Sequence, residues 1–284
     1  MFRNVAAQVV AAVEKNGGAI ACTKGLVLES QIYSDRATRY MADVDFMISP
    51  RDRSAAEAAL NGLGYEIGNC DHVAECLRPY DRREELLYWL TPDHLPRRIA
   101  RLDDPIAPFV ELDFALSLTW HSSEYQLDMD DVMRGLGRVS PPGLRDGLPC
   151  LSVFYHFLFI VMHLFREAWI DPWDHPEKDV LLQKFMDVYH LMNQFSAELM
   201  AEHAPQRIRD TGLAKPVAWV LGHTDAIFGS DGLEQFGVAD LATDEWLASA
   251  QAGQRDRLRW SGDIRERMLR RTSRSSFRSA DRGD

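Results

Sequence analysis

The sequence has few cysteines and no long uninterrupted hydrophobic run. Its four cysteines, Cys22, Cys70, Cys76 and Cys150, form no C-x-x-C pair among 284 residues. A chain of this length needs no disulfides to build a core, so we expect reduced, mostly buried thiols in a cytoplasmic protein. The longest apolar stretch, at 153–165, is too short to span a bilayer and contains two histidines. It is predicted to be a buried helix.

Several signatures of enzyme classes are also missing. There is no G-x-G-x-x-G, no Walker phosphate loop and no G-x-S-x-G. These patterns are typical of dinucleotide binding, P-loop NTP binding and the nucleophile of α/β-hydrolases, respectively. The first residues lack the continuous apolar segment of a secretory signal. Any enzymatic activity must therefore rest on a different constellation of residues.

Positive charge is in short supply. The chain has 32 lysines and arginines against 43 aspartates and glutamates, a net charge of −11, so it has no general attraction to nucleic acid or anionic membranes. Seven arginines fall within 264–284, a segment of about +4 that leaves about −15 for the rest. We expect no membrane partner and no general nucleic-acid partner, although the arginine tail leaves tRNA open. The oligomeric state is not indicated.

The pattern of apolar residues predicts an α+β half followed by a helical half. The Pro/Gly-rich segment at 140–149 separates a predicted α+β domain at 1–145 from a predicted helical domain at 146–272. The Ser/Arg-rich end at 273–284 is expected to be a disordered basic tail. Strands are predicted at 19–22, 43–49, 86–90 and 109–118, and helices at 2–16, 26–33, 50–64, 151–168, 176–195, 197–212, 214–228 and 243–272.

Two aspartates interrupt the apolar run RYMADVDFMI at 39–48. Residues i and i+2 of a strand point to one face, so Asp43 and Asp45 project together while Val44 turns to the other face. A solvated strand end would also place acids there. Two carboxylates aimed at one point repel each other unless a cation lies between them, and such pairs hold Mg²⁺ in phosphoryl-transfer sites.

Further residues strengthen the interpretation of a metal and phosphate site. Lys24 and Gly25 lie at a strand-to-helix junction, where glycine lets backbone N–H groups approach phosphate. Arg39 precedes the aspartate pair and can contact phosphate or a carboxylate. Glu111 and Asp113 are again two apart on one face of a later strand. Either one can supply the third carboxylate of a two-metal site.

A family resemblance follows from these segments. TKGLVLESQIYSDRATRYMADVDFMISPRDRSAAEAALNGLGY, at 23–65, combines a K-G turn, a helix, an arginine, a D-x-D strand and a helix ending in L-G-Y. It resembles the uncharacterised nucleotidyltransferase family of the DNA polymerase β-like superfamily. HLPRRI at 94–99, VELDFAL at 110–116 and LPCLSVFYHFLFIVMHLF at 148–165 resemble later segments of that family.

The resemblance implies a fold and an activity. The fold is expected to be a small mixed β-sheet nucleotidyltransferase core flanked by helices, followed by an all-α C-terminal region. The activity is expected to be transfer of a nucleoside monophosphate, AMP in our prediction, from an NTP to an unidentified acceptor with two Mg²⁺ ions. A small molecule or peptide of a biosynthetic pathway fits the acidic composition as acceptor.

The resemblance also carries over to site residues. Asp43 and Asp45 match the metal-binding pair, and Glu111 falls at the usual third acidic position, with Asp113 as the alternative. Lys24, Gly25 and Arg39 are the predicted nucleotide-binding residues.

Two alternative functions stay open at this point. One is a toxin-like nucleotidyltransferase that modifies tRNA. The other is a non-catalytic nucleotide-binding partner subunit, because Leu26 rather than a serine follows Gly25.

Overall fold

The computed structural model describes residues 1–33, 39–71, 76–90, 92–105, 107–121, 123–170, 180–252, 256–260, 263–269 and 277–279. The chain forms two compact units, Met1–His156 and Phe157–Asp284. The limits predicted at 1–145, 146–272 and 273–284 stay predictions about independently folding domains. Of the predicted disordered tail, only 277–279 belongs to the described residues, and it forms a short strand.

The first unit is built on a mixed sheet. Within the described ranges, seven strands pair in the order β3-β6-β7-β2-β1-β9-β8. The β2–β7 and β1–β9 pairs are parallel and the others are antiparallel. The strands of the first unit, including the separate β4–β5 hairpin, are β1 Ala21–Cys22, β2 Val44–Met47, β3 Glu66–Ile67, β4 Asn69–Asp71, β5 Cys76–Arg78, β6 Arg98–Arg101, β7 Phe109–Ala115, β8 Gly137–Val139 and β9 Leu148–Cys150.

Helices flank this sheet, and the first three along the chain lie where the apolar spacing predicts them. Their bounds are α1 Phe2–Lys15, α2 Lys24–Gln31, α3 Arg53–Gly62, α4 Arg82–Leu90 and α5 Met129–Val132, with a 3₁₀ turn at Pro50–Asp52 before α3. In α1, Val5, Val9 and Val13 are buried on one stripe. The chain leaves this helix through Gly17, whose φ of 79° is in the left-handed region that glycine tolerates.

The hydrophobic core of the first unit lies on one face of the sheet. Phe46 of β2 and Phe114 of β7 stack there with ring centroids 4.9 Å apart, and Val44 and Leu112 belong to the same cluster. Strand β7 alternates between buried and half-buried residues, so Glu111 and Asp113 turn to the opposite face. The alternation predicted from the sequence therefore separates core from acids.

The second unit is predominantly helical. It contains most of α6 Val153–Trp169, together with α7 Leu182–Gln194, α8 Ser196–Ala201, α9 Ala204–Asp210, α10 Ala214–Phe228, α11 Gly232–Gln235, α12 Asp244–Leu247 and α13 Ile264–Leu269. A small antiparallel sheet is also present, formed by β10 Ser249–Ala252, β11 Asp256–Trp260 and β12 Phe277–Ser279. No helix in the described ranges has the length and apolarity needed to cross a membrane.

Three secondary-structure predictions are wrong. Residues 86–90, predicted to be a strand, belong to α4, because a short apolar run has no period that distinguishes the two structures. The single helix predicted over 243–272 is replaced by α12, the β10–β11 hairpin and α13. The helix predicted over 197–212 is divided into α8 and α9. The start of the helix predicted over 176–195 lies outside the described residues at 176–179.

Deleting buried apolar volume from β7 tests the position of the core. Leu112 is fully buried, so Leu112→Ala should lower the free energy of unfolding by about 2–5 kcal/mol, since the removed methyl groups leave a cavity. Leu90→Ala is the matched control, because that side chain is 63% exposed and its loss should cost less than about 0.5 kcal/mol. Urea titration followed by circular dichroism measures both. Equal losses would contradict the assigned core face.

Candidate active site

The register of two parallel strands brings acids together on the face opposite the core. Asp45 of β2 lies directly opposite Asp113 of β7, and paired residues of neighbouring strands point to the same face. Asp43 immediately precedes β2, and Glu111 is two residues before Asp113 on β7. The D-x-D pair (Asp43 and Asp45) and the E-x-D pair (Glu111 and Asp113) predicted from the sequence therefore lie on one face of the sheet.

The ammonium group of Lys24 lies between the two facing aspartates. Its Nζ is 2.7 Å from Asp45 Oδ1 and 3.9 Å from Asp113 Oδ2. The Lys24 and Asp45 side chains are only 13% and 9% exposed. Burial lowers the pKa of Lys24, but the charges of Asp45 and Asp113 raise it more, so the net direction is upward. The cation between Asp45 and Asp113 is thus a lysine, whereas the sequence predicted a metal ion at Asp43 and Asp45.

The backbone of Lys24 is in an uncommon conformation. Its φ is 44°, a left-handed value that few residues with a side chain adopt. Lys24 is also the first residue of α2, directly after Thr23. The Thr23 amide donates to the Asp45 carbonyl at 3.0 Å. This contact fixes the start of α2 against β2.

Asp113 is held by a histidine that the sequence analysis did not select. His94 Nδ1 lies 3.1 Å from Asp113 Oδ1, and His94 pairs with Ala115 in an isolated antiparallel bridge. Burial raises the pKa of Asp113, but the charges of His94, Lys24 and Arg97 together lower it well below its usual range. Asp113 therefore stays ionised beside Asp45.

Glu111 has a different partner. Arg97 NH1 lies 3.0 Å from Glu111 Oε2. Burial lowers the pKa of Arg97, and the neighbouring charges, of which that of Glu111 is the largest, reverse this to a net rise. Of the two candidates for the third carboxylate, Asp113 lies at the Asp45–Lys24 pair and Glu111 is engaged by Arg97.

In the described part of this face, the negative charge of Asp43 is the one that its neighbours do not fully compensate. Burial and the charge of Asp45 raise its pKa to about 7, and the opposing influence of Lys24 is not sufficient to cancel them. One ammonium group therefore does not neutralise Asp43, Asp45 and Asp113 together. The surface retains capacity for a further cation.

Gly25 lies under two side chains. A Cβ added at Gly25 would stand 2.6 Å from Met41 Cγ and 2.9 Å from Arg39 NH1, closer than unstrained atoms approach. The glycine thus allows Met41 and Arg39 to lie over the first turn of α2. Arg39 is thereby brought to the start of this helix.

The residues fit Mg²⁺ by donor chemistry, while their present arrangement is a lysine-bridged one. Carboxylate oxygens are the ligands that Mg²⁺ prefers, and the surplus negative charge at Asp43 favours a divalent cation. Within the described residues, no group of three or more histidine, cysteine, aspartate or glutamate side chains is arranged to hold a metal ion as it stands. The Lys24 ammonium occupies the position between Asp45 and Asp113.

A cavity in the described part of the first unit lies elsewhere. It has a volume of about 490 Å³ and contains none of the seven predicted site residues. Ser49 and Ser117, which follow the carboxyl ends of β2 and β7, contribute to its wall, as do Asp93 and Asp130. The acidic face of the sheet thus lies outside this cavity.

His94 and Arg97 are the site residues that sequence reasoning missed. Both belong to the HLPRRI segment at 94–99, which resembles a segment of the family. The polar side chain of His94 and the charged side chain of Arg97, just before β6, were a signal in the sequence. Their partners on β7, however, are set by strand pairing, which the segment alone does not show. Antiparallel pairing places Ile99 opposite Glu111, and that register brings the segment to the acidic face.

Comparison with known protein families gives a match over most of the chain. A family model described as "Uncharacterised nucleotidyltransferase" matches residues 1–229. A search of curated proteins found no match.

Two solved structures of the antibiotic-resistance factor ANT(2'')-Ia are similar at 15% sequence identity. The solution structure has a TM-score of 0.40 and the match covers 73% of this chain and 91% of that one. The crystal structure, which is a complex with adenylyl-2''-tobramycin, has a TM-score of 0.36 with 69% and 90% covered. We base nothing further on similarities this remote.

Removing the bridging cation tests the electrostatics of the site. Lys24→Met should lower the free energy of unfolding by about 3 kcal/mol, since it leaves buried like charges without a counter-ion. Arg53→Met is the control, because it breaks an exposed pair with Glu57 and should cost less than about 1 kcal/mol. Urea titration at pH 8 measures both. A Lys24→Met cost no larger than the control would show that the bridge is not a stabilising contact.

Proposed function

The chain belongs to the uncharacterised nucleotidyltransferase family, and we propose that it transfers AMP from ATP to a small-molecule or peptide acceptor. Membership of this family, together with the mixed sheet and its flanking helices, supports nucleotidyl transfer as the general activity of the chain. The nucleotide, the metal and the acceptor are our proposals. The observation that supports them most directly is the facing pair Asp45 and Asp113 with the Lys24 ammonium between them.

We assign the metal-binding role to Asp43, Asp45 and Asp113. Mg²⁺ held by these carboxylates would polarise the α-phosphate and neutralise charge on the departing pyrophosphate. Asp113 replaces Glu111 as the third carboxylate in this proposal, because Glu111 is already paired with Arg97 at 3.0 Å. Glu111 and Arg97 then form a neighbouring ion pair that keeps β7 and β6 in register.

The residues of the chain bind and orient the reactants. Lys24 and the first turn of α2 bind the β- and γ-phosphates, since the helix N-terminus and an ammonium both favour anions. Lys24 leaves the carboxylates when it takes a phosphate as its partner. Arg39, which lies over Gly25, reaches the same phosphates. His94 keeps Asp113 oriented through its 3.1 Å contact.

The transfer step is a displacement at phosphorus. An acceptor oxygen attacks the α-phosphorus, the bond from that phosphorus to the bridging oxygen of the β-phosphate breaks, and pyrophosphate leaves. The proton of the acceptor hydroxyl passes to a carboxylate of the acidic face. Positioning of the two oxygens in line is the main contribution of the protein.

The charge of the chain favours a small acceptor over RNA. The net charge is −11, and a surface of this sign repels a polyphosphate backbone. If the acceptor were tRNA, its affinity for the chain would fall steeply with added salt, whereas the affinity of a small-molecule acceptor would not.

Single carboxylate substitutions test the assignment. Asp43→Asn and Asp113→Asn should each lower AMP transfer by about 100-fold or more, since each removes charge from the reacting centre. Glu111→Gln should lower it less, because Glu111 is paired with Arg97. Transfer is read as the mass increase of acceptors incubated with ATP and Mg²⁺. Asp103→Asn, at an exposed position outside the site, is the matched control. Full activity in Asp43→Asn would exclude this site.

Nucleotide-dependent stabilisation separates an enzyme from a non-catalytic subunit. ATP with Mg²⁺ should raise the thermal unfolding temperature of the wild-type chain, since a ligand that binds only the folded state stabilises it. ATP at the same concentration with EDTA should raise it less. If neither ATP nor Mg²⁺ changes the unfolding temperature, the chain is not a nucleotide-binding enzyme under this proposal.

A further inference from the structure

Two fully buried polar atoms near the start of α2 have no hydrogen-bond partner in the described part of the chain. They are Thr23 Oγ1 and His156 Nε2, whose residues are 0% and 2% exposed. Leaving such an atom unpaired in the interior is unfavourable, because it has lost its water partners and gained no others. Folded proteins pair most of these groups, so each exception calls for a specific reason.

The sheet brings both residues to one edge. Strands β1 and β9 are parallel, with Cys22 opposite Cys150, and the carboxyl ends of parallel strands meet at the same edge. Thr23 follows β1 directly and is the N-cap of α2. His156 lies in the first turn of α6, which begins shortly after β9. Thr23 and His156 therefore both follow strands that end at this edge of the sheet.

Arg39 connects the two positions. Its NH1 stands 2.9 Å from where a Cβ of Gly25 would lie, in the first turn of α2. Burial and, less strongly, the nearby positive charge of Arg39 together lower the pKa of His156 to about 3. His156 is thus a neutral imidazole that offers a hydrogen bond without a charge, next to a guanidinium.

Thr23 is not used as a helix cap. Its side chain accepts no hydrogen bond from the first turn of α2, although threonine at this position commonly does. The first amide groups of a helix have no acceptor within it. A free hydroxyl, these amides, Lys24 and Arg39 together form a set of donors with positive charge, which suits phosphate.

We propose that Thr23 Oγ1 and His156 Nε2 are phosphate-binding donors, each giving a hydrogen bond to the β- or γ-phosphate of the bound nucleotide. This proposal rests on the proposed function, since it assigns two further residues to the same substrate. With its proton on Nε2, neutral His156 donates to a phosphate oxygen, and the hydroxyl of Thr23 does the same. The side chains of Met41 and Arg39, which lie over Gly25, move to admit the phosphates.

Removal of each donor is the direct test. Thr23→Val and His156→Leu in the full-length chain should weaken binding of ATP and of inorganic tripolyphosphate by about 10-fold or more, since hydrogen bonds to charged groups are the stronger ones. Binding of adenosine, which has no phosphate, should not change. Thr23→Ser and His156→Gln keep a donor and should bind close to wild type. Calorimetric titration in the presence of Mg²⁺ measures all three ligands.

The ligand-free variants give a second readout. Because each removal variant eliminates an unpaired buried group, its thermal unfolding temperature should equal or exceed that of the wild type. A residue kept only for packing would show the opposite. Weaker phosphate binding in a chain that is not destabilised is the combination that supports the proposal.

Three results would overturn it. Unchanged affinity for ATP and tripolyphosphate in both removal variants would show that neither atom contacts phosphate. A parallel loss of adenosine binding would place the atoms at the nucleoside. Equal losses in Thr23→Ser or His156→Gln would indicate packing rather than donation. If the wild-type chain binds neither ATP nor tripolyphosphate, the proposed function itself fails, and that result is distinct from these three.

Discussion

Repulsion between carboxylates on neighbouring strands is the constraint on which the acidic face depends. The register of β2 and β7 places Asp45 opposite Asp113, and buried like charges at this separation need a cation. Lys24 supplies it, 2.7 Å from Asp45 and 3.9 Å from Asp113. The same lysine begins α2, so the charge balance of the sheet and the position of the helix are set by one residue.

The other polar contacts of the face follow from that constraint. His94 and Arg97 approach β7 from the segment before β6 and compensate the charges of Asp113 and Glu111. Asp43 has no such partner strong enough to offset its burial, and its pKa rises to about 7. A divalent cation would relieve this imbalance and release Lys24 for phosphate. The arrangement is therefore suited to exchange one cation for another when a nucleotide binds.

At the edge of the sheet beside α2, buried polar groups lower the stability of the fold and remain available for binding. Thr23 and His156 each keep a buried polar atom without a partner in the described residues. Strained or unsatisfied groups commonly collect at functional sites, because selection keeps them for binding and not for stability. The left-handed φ of Lys24, at 44°, belongs to this group.

The sequence by itself determined the face of each strand residue, because side-chain alternation is local: Val44 and Phe46 turn to the core and Asp45 turns away from it. It also determined α1 and α3, whose apolar residues repeat at helical spacing, and it indicated the family. It did not decide the structure of 86–90, where four apolar residues of α4 are exposed, since a short apolar run carries no period. Nor did it indicate which of Glu111 and Asp113 lies opposite Asp45, or that His94 contacts Asp113. Those depend on strand register and on contacts between residues far apart in the chain, such as Lys24 with Asp113, and only the tertiary structure fixes them.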